Sequence, residues 1–463
     1  MKTEFEVTKE KLDEVGCGMC LAKWTQVTMH LHNGMTHSCH HPSPHKIPLE
    51  ELKRNPTALH NTNFKKEKRR EMLNGGRPTE CNYCWNVEDN SNSYSDRVFK
   101  STEPWSFEHL DEIKNLDWRE NYNPKYVEVS FSNTCNFKCS YCSPMFSSKW
   151  TEEIERHGGY PTSTNFNDMT WVKETGQMPY KHSEENPYVE SFWNWWPDLY
   201  NDLHTFRVTG GEPLLSKDTW KLMEFIATTE TPNRKLNLSI NTNLGVPKNL
   251  IERFVTLSKK IIDENRVNEL IVFTSCDAYG EQSEYIRNGM DFNLFLENVE
   301  YVLSELPKVT VVVMSTFNAM SVFSYDKLID KIFELKKKYQ NSERYWISAI
   351  QLDSSYLRWP LHQSVKILDD EQKELILKSA KRAFYYATHE FNHQHYGFSE
   401  VEVQKIKRIY DYATSKDEVY LLERGREDMV KFVDEHDKRR GTNFLSTFPE
   451  FKNMYEDVKN RER

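Results

Sequence analysis

The amino-acid sequence predicts an α/β protein. Its centre is a partial (β/α)6 TIM-like barrel with an open parallel sheet, preceded by a small N-terminal cysteine-rich hairpin module and followed by a C-terminal helical region. Three observations lead there. Six runs after residue 120 are rich in β-branched and aromatic residues, as strands buried on both faces should be: KYVEVSFSN, HTFRVTGGEP, KLNLSINTNL, VNELIVFTSCDA, VTVVVMSTFN and WISAIQLD. Helical patterns such as SKDTWKLMEFIATTE and YDKLIDKIFELKKKY separate most of them, which implies parallel strands joined by right-handed crossovers. Six such units fall short of the eight that close a barrel. The expected boundaries are 1–115 for the cysteine-rich module, 120–360 for the barrel with an insertion at about 150–200, and 361–463 for the helical region.

Composition narrows the function classes. The 463 residues are 38% apolar and 28% charged, and 25 Phe, 23 Tyr and 12 Trp supply much of the burial. A formal charge of −9 argues against general affinity for a nucleic-acid backbone, and basic runs such as KKEKRR (65–70) read as solvated helix faces. No apolar run reaches the ~20 residues of a membrane span, and the start MKTEFEVTKEKLDEV has no apolar signal-peptide core, so a cytoplasmic location is expected. Nine cysteines, an odd count, suit metal ligation in a reducing compartment better than a disulfide framework.

In the N-terminal module, Asn33-Gly34 reads as a two-residue hairpin turn, which places Cys39 opposite Thr28. Cys20, Cys39, Cys81 and Cys84 are the candidate metal ligands, with Cys17 competing for Cys20's place and His37, His40 and His41 as nearby alternatives. His30, His32 and His45 are expected to be surface residues. The first barrel strand ends in FSNTCNFKCSYCSP, with Cys135, Cys139 and Cys142 spaced C-x3-C-x2-C at the strand's carboxyl end, where barrels place their chemistry. Three thiolates leave one corner of a four-iron cluster open, and an open metal position is a reaction site. In the insertion, the Trp-rich stretch FWNWWPDLY reads as packing.

The remaining strand ends are polar. TGGEP offers Gly210 and Gly211 for close backbone approach to a ligand and Glu212 as a carboxylate for a cationic group. Alternation puts Asn241 and Asn243 on one face, where buried amides need partners. Ser275 and Asp277 share a face suited to ribose hydroxyls, whereas Cys276 between them should turn toward the helices as a structural thiol. Thr316 or Asn318 is placed to line the same pocket. Near the C-terminus, His389, His393 and His395 read as a solvated helix face.

This set of motifs resembles the radical S-adenosylmethionine enzymes over roughly residues 120–360, with Tyr141 as the aromatic residue just before the last cysteine. The resemblance implies a 4Fe-4S cluster whose open iron is chelated by S-adenosylmethionine, which is cleaved by one electron to a 5′-deoxyadenosyl radical that takes hydrogen from a substrate. It assigns Gly210, Gly211 and Glu212 to the amino group of S-adenosylmethionine and Arg287 to its carboxylate. The pattern C-x13-G-x4-C followed at a distance by C-x2-C resembles the twitch and SPASM auxiliary-cluster modules, here placed before the barrel. A second iron-sulfur cluster is thereby implied, with zinc as the alternative occupant. The expected substrate is a peptide or protein side chain, and a small molecule of cofactor or carbohydrate biosynthesis is the second reading. The implied reductant is a flavodoxin- or ferredoxin-like carrier. The reading from a different class is a non-catalytic zinc-stapled binding protein.

Overall fold

The computed structural model describes residues 2–181, 183–340, 348–388 and 396–461. His389, His393 and His395 therefore lie outside the described residues, as do the first two residues of WISAIQLD. Eleven strands are described: β1 (Gln26–His30), β2 (Met35–His37), β3 (His45–Lys46), β4 (Tyr126–Ser130), β5 (Lys138–Cys139), β6 (Thr205–Thr209), β7 (Asn237–Asn241), β8 (Glu269–Ser275), β9 (Arg287–Asn288), β10 (Thr310–Phe317) and β11 (Ile350–Tyr356). Nine form one sheet in the order β11-β10-β8-β7-β6-β4-β1-β2-β3, and β5 pairs with β9 separately.

The six expected strands are β4, β6, β7, β8, β10 and β11, each parallel to its neighbours. The sheet is open, as predicted. The N-terminal hairpin extends it, because β1 pairs in parallel with β4 and β2 and β3 follow antiparallel. Residues 26–46 therefore belong to the barrel sheet, while a smaller core built on Leu12, Trp24, Met72 and Trp85 holds the rest of the N-terminal segment.

Two expectations from the sequence are corrected. The Asn33-Gly34 turn is a four-residue connection, and the register sets His37, not Cys39, opposite Thr28. The reason lies in β4: the Leu31 amide donates to the Ser130 carbonyl at 2.9 Å, which carries the parallel pairing past β1 before the chain can reverse. Gly34 completes the turn at φ +70°, where an added Cβ would stand 2.6 Å from the Tyr188 hydroxyl. The strands are also not buried on both faces. β4, β6 and β8 alternate between residues packed on the helices and residues partly exposed, so the inner face borders an accessible lumen.

The Trp-rich stretch lies in the helix Pro187–Asp202, where Phe192, Trp195 and Trp196 are buried in the main core, as packing requires. Asn186 caps that helix by accepting the Tyr188 amide at 2.9 Å. The C-terminal region consists largely of helices, including Asp370–Tyr386, Glu400–Thr414, Val419–Arg440 and Lys452–Arg461. No helix among the described residues is long and apolar enough to cross a membrane.

Candidate active site

The cysteine loop leaves β4 and is fixed from several directions. Ser147 Oγ donates to the Phe137 carbonyl at 2.8 Å, and Trp150 Nε1 donates to the Cys139 carbonyl at 2.9 Å. From the C-terminal region, Gln363 exchanges two hydrogen bonds with Ser140, donating to its carbonyl and accepting from its hydroxyl. Arg440 donates to the Lys138 carbonyl at 2.9 Å and pairs with Glu153. Burial alone would raise the Glu153 carboxyl, but Arg440, Lys138 and the Tyr160 hydroxyl outweigh it and hold the group down at about 2. Sequence reasoning missed Gln363, Arg440 and Glu153, since nothing local to them signals a partner more than two hundred residues away.

Cys135, Cys139 and Cys142 line one cleft at the carboxyl ends of the parallel strands. Burial raises all three thiols, Cys142 to about 12, so metal ligation is what would make them thiolates. The same cleft is lined by Tyr141, Gly210, Gly211 and Glu212. Asn241, Asn243, Ser275, Arg287 and Thr316, five more of the predicted residues, are on its walls.

Gly210 and Gly211 are required for a reason the sequence did not supply: their close approach is to the cysteine loop itself. Gly210 has φ +127°, and a Cβ on it would stand 2.7 Å from the Ser132 carbonyl; on Gly211 it would stand 2.6 Å from that of Asn133. Glu212 is 2% exposed. Its carboxylate accepts the Asn243 amide at 2.6 Å, the Thr242 hydroxyl at 2.8 Å and the Leu214 amide at 3.0 Å. Burial nevertheless pushes it up to about 7. A carboxylate so placed gains from an incoming cation.

Other predicted residues have partners within the protein. Asn243 donates to Asn136 Oδ1 at 2.9 Å, tying β7 to the cysteine loop, and Asn241 accepts from Arg207 at 2.9 Å. Asp277 is fully buried, and it does not line the cleft: its carboxylate pairs with Arg287 at 2.8 Å and accepts the Tyr141 hydroxyl and the Thr316 amide, each also at 2.8 Å. The ribose-binding role expected of it is replaced by that of an anchor, because three groups, Arg287, Tyr141 and Thr316, converge on its carboxylate just after β8. Arg287 in turn reaches to 3.7 Å from the Cys139 sulfur. Asn318 is an internal cap that accepts the Met320 amide, and Cys276 is fully buried, as its position between two inward residues predicts.

A second cysteine set converges elsewhere. Cys20, Cys39, Cys81 and Cys84 line one small cavity together with His41 and Asp96. Burial is the main cause that raises Cys81 to about 11. Cys17 is exposed and donates to the Gly75 carbonyl at 3.4 Å, outside that cavity. Among the alternative ligands, His41 lines the cavity but is stacked on Tyr83 and hydrogen-bonded to Asp96 at 2.7 Å. His37 bonds to the Cys39 carbonyl at 2.5 Å. His32 is fully buried and His30 partly so, contrary to the surface position expected, because β1 lies inside the sheet; His45, on the edge strand β3, is partly covered by Phe64 and bonded to Thr62 at 3.1 Å. Among the described residues, no three His, Cys, Asp or Glu side chains converge on a single-ion position.

No family model matches the chain. It is 26% identical over 224 residues to proteins named GTP 3',8-cyclase from Clostridium botulinum, with the same figures for the Hall and Langeland strains. The match covers 48% of this chain and 55% of those relatives, so the chain spans about half the length of the curated relatives it matches. A solved structure described as native anSMEcpe with bound AdoMet aligns at 15% identity with a TM-score of 0.28, covering 55% of this chain and 58% of that one.

Proposed function

We propose that this chain is a radical S-adenosylmethionine enzyme that takes hydrogen from a peptide or protein side chain. The observation that carries the proposal is the convergence of three cysteines of one loop, the Gly210-Gly211-Glu212 turn and polar residues from the ends of β7, β8 and β10 on a single cleft. The likeness to cyclases supports enzymatic chemistry and also motivates the second reading, a small-molecule substrate.

The donor set fits the cofactors. Cys135, Cys139 and Cys142 would hold a 4Fe-4S cluster and leave one corner to S-adenosylmethionine. When bound, the pair supplies one-electron cleavage of the sulfonium and hence a carbon-centred oxidant. The chain's own residues bind and orient. Glu212 offers a carboxylate to the amino group of the cosubstrate, and the Asn243 and Leu214 amides keep it aimed. Arg287, fixed by Asp277, puts a cation on the wall of the same cleft. Tyr141 transmits the position of the loop to Asp277 through its hydroxyl.

Cys20, Cys39, Cys81 and Cys84 would hold the auxiliary centre of a twitch-like module, an iron-sulfur cluster or, alternatively, zinc. A flavodoxin- or ferredoxin-like protein would supply the electron, and the enzyme would work in the cytoplasm. The test is oxygen-free purification followed by iron, sulfide and zinc analysis and an assay of deoxyadenosine formation from S-adenosylmethionine. About eight irons per chain indicates two cubane clusters, and four irons with zinc indicates a zinc-held module. Activity lost in Cys135→Ala but retained in Cys81→Ala separates the two cysteine sets, and absence of iron would sink the proposal.

A further inference from the structure

The barrel lumen below the cleft carries a charge arrangement that the cosubstrate does not use. Glu128 of β4 and Arg207 of β6 are register partners, so their side chains share the inner face of the sheet. Arg207 is held in place: its Nε donates to Asn241 Oδ1 at 2.9 Å, and its guanidinium lies 4.1 Å from the centre of the Phe273 ring. Asn241 lines the cleft, so Arg207 lies next to its floor. The Glu128 carboxylate makes no side-chain hydrogen bond or ion pair among the described residues, and the two opposite charges are not paired with each other.

Neighbouring opposite charges that do not neutralise each other are ready for a ligand that brings one of each sign. The rest of the inner face sharpens the choice. Among the described parallel strands β4, β6, β7, β8, β10 and β11 the other charged residues of that face are acids, Glu269 of β8 and Asp353 of β11, the latter paired with Lys405 at 2.7 Å, so Arg207 is the one cation of these strands there; Lys46 of β3, on the same face at the sheet's edge, is held by the Asn33 and Gly176 carbonyls. A triphosphate needs several cations and would meet repulsion here.

Resting on the radical-enzyme reading above, we propose that the lumen binds an amino-acid or peptide unit that presents a cation to Glu128 and a carboxylate to Arg207, and that it does not accept a nucleoside triphosphate.

The test is calorimetric titration of the full-length, oxygen-free, S-adenosylmethionine-loaded protein with Lys-Asp dipeptide capped at both ends, and in parallel with GTP. Saturable binding of the dipeptide is expected, weakened about tenfold or more in both Glu128→Gln and Arg207→Gln. Arg207→Lys should keep part of the affinity, which guards against misreading a folding defect. Saturable GTP binding, no dipeptide binding by the wild type, or equal dipeptide affinity in all variants would overturn the inference. Cosubstrate binding, measured first, separates the two levels: its failure removes the enzyme reading itself, whereas normal cosubstrate binding with the wrong peptide result removes only this proposal.

Discussion

Glu212→Gln is the sharpest probe of the cleft. In the free protein burial sets the Glu212 carboxyl at about 7, so it is mostly protonated at pH 6. An ammonium ligand selects the ionised form, so affinity must fall as pH drops below the carboxyl's own value and level off above it. One pH unit below that value corresponds to about 1.4 kcal/mol, a tenfold loss. Cosubstrate binding by the wild type should therefore weaken about tenfold from pH 7.5 to 6 and about thirtyfold by pH 5.5. The amide variant has no ionisation to supply. Its NH2 group would also face a backbone amide in place of an acceptor, since two amides already donate to the carboxylate. Losing a charge-assisted bond costs about 1.5–3 kcal/mol, so the variant should bind more than tenfold more weakly at pH 7.5. It should also show no pH slope between 5.5 and 7.5. Calorimetry under argon measures both quantities. A flat wild-type profile, or a variant that keeps the wild-type slope, would refute the assignment of Glu212 to the cation.

Three further outcomes are expected. On the proposed two-centre reading, Gly211→Ala should lower iron content while Cys20, Cys39, Cys81 and Cys84 keep their metal, because its Cβ meets carbonyl oxygens of the cysteine loop and not a flexible side chain; metal analysis reads this directly. Arg440→Met leaves Glu153, a carboxylate 4% exposed, with less compensation, at a cost of about 2–3 kcal/mol in thermal unfolding at pH 7. Glu153 is held near 2, so in the wild type the stability it contributes is complete above its ordinary value and is lost as pH falls from about 4.5 toward 2. The difference between wild type and Arg440→Met should therefore shrink in acid, and a constant difference would argue against the ion pair as its cause. Cys17→Ser should leave total metal content unchanged, whereas Cys20→Ser should empty the N-terminal site, since Cys20 and not Cys17 faces the cavity.

What was legible in the sequence was local. The β-branched runs after residue 120 gave the parallel strands in their spatial order, and residues at or just past the strand ends, Cys135, Gly211, Glu212, Asn243 and Thr316, line one cleft because parallel strands all end on the same side. The cysteines of the N-terminal module were legible too, but their register was not: a dipeptide turn signal lost to pairing with β4, almost a hundred residues away. Asp277 alternates correctly with Ser275, yet only the folded chain shows that Arg287, Tyr141 and Thr316 take up its carboxylate.

The sequence by itself thus determined the sheet, the side of it that carries chemistry, and the thiols gathered there, because strand period and chain direction are properties of adjacent residues. Tertiary structure decided the rest: that β1 extends the sheet, that Gln363 and Arg440 brace the cysteine loop, and that Glu128 and Arg207 stand side by side on the inner face without pairing to each other. Those outcomes depend on which distant segments cover an edge or a face and what charge they bring, and burial and pairing over such separations leave no periodic mark in the chain.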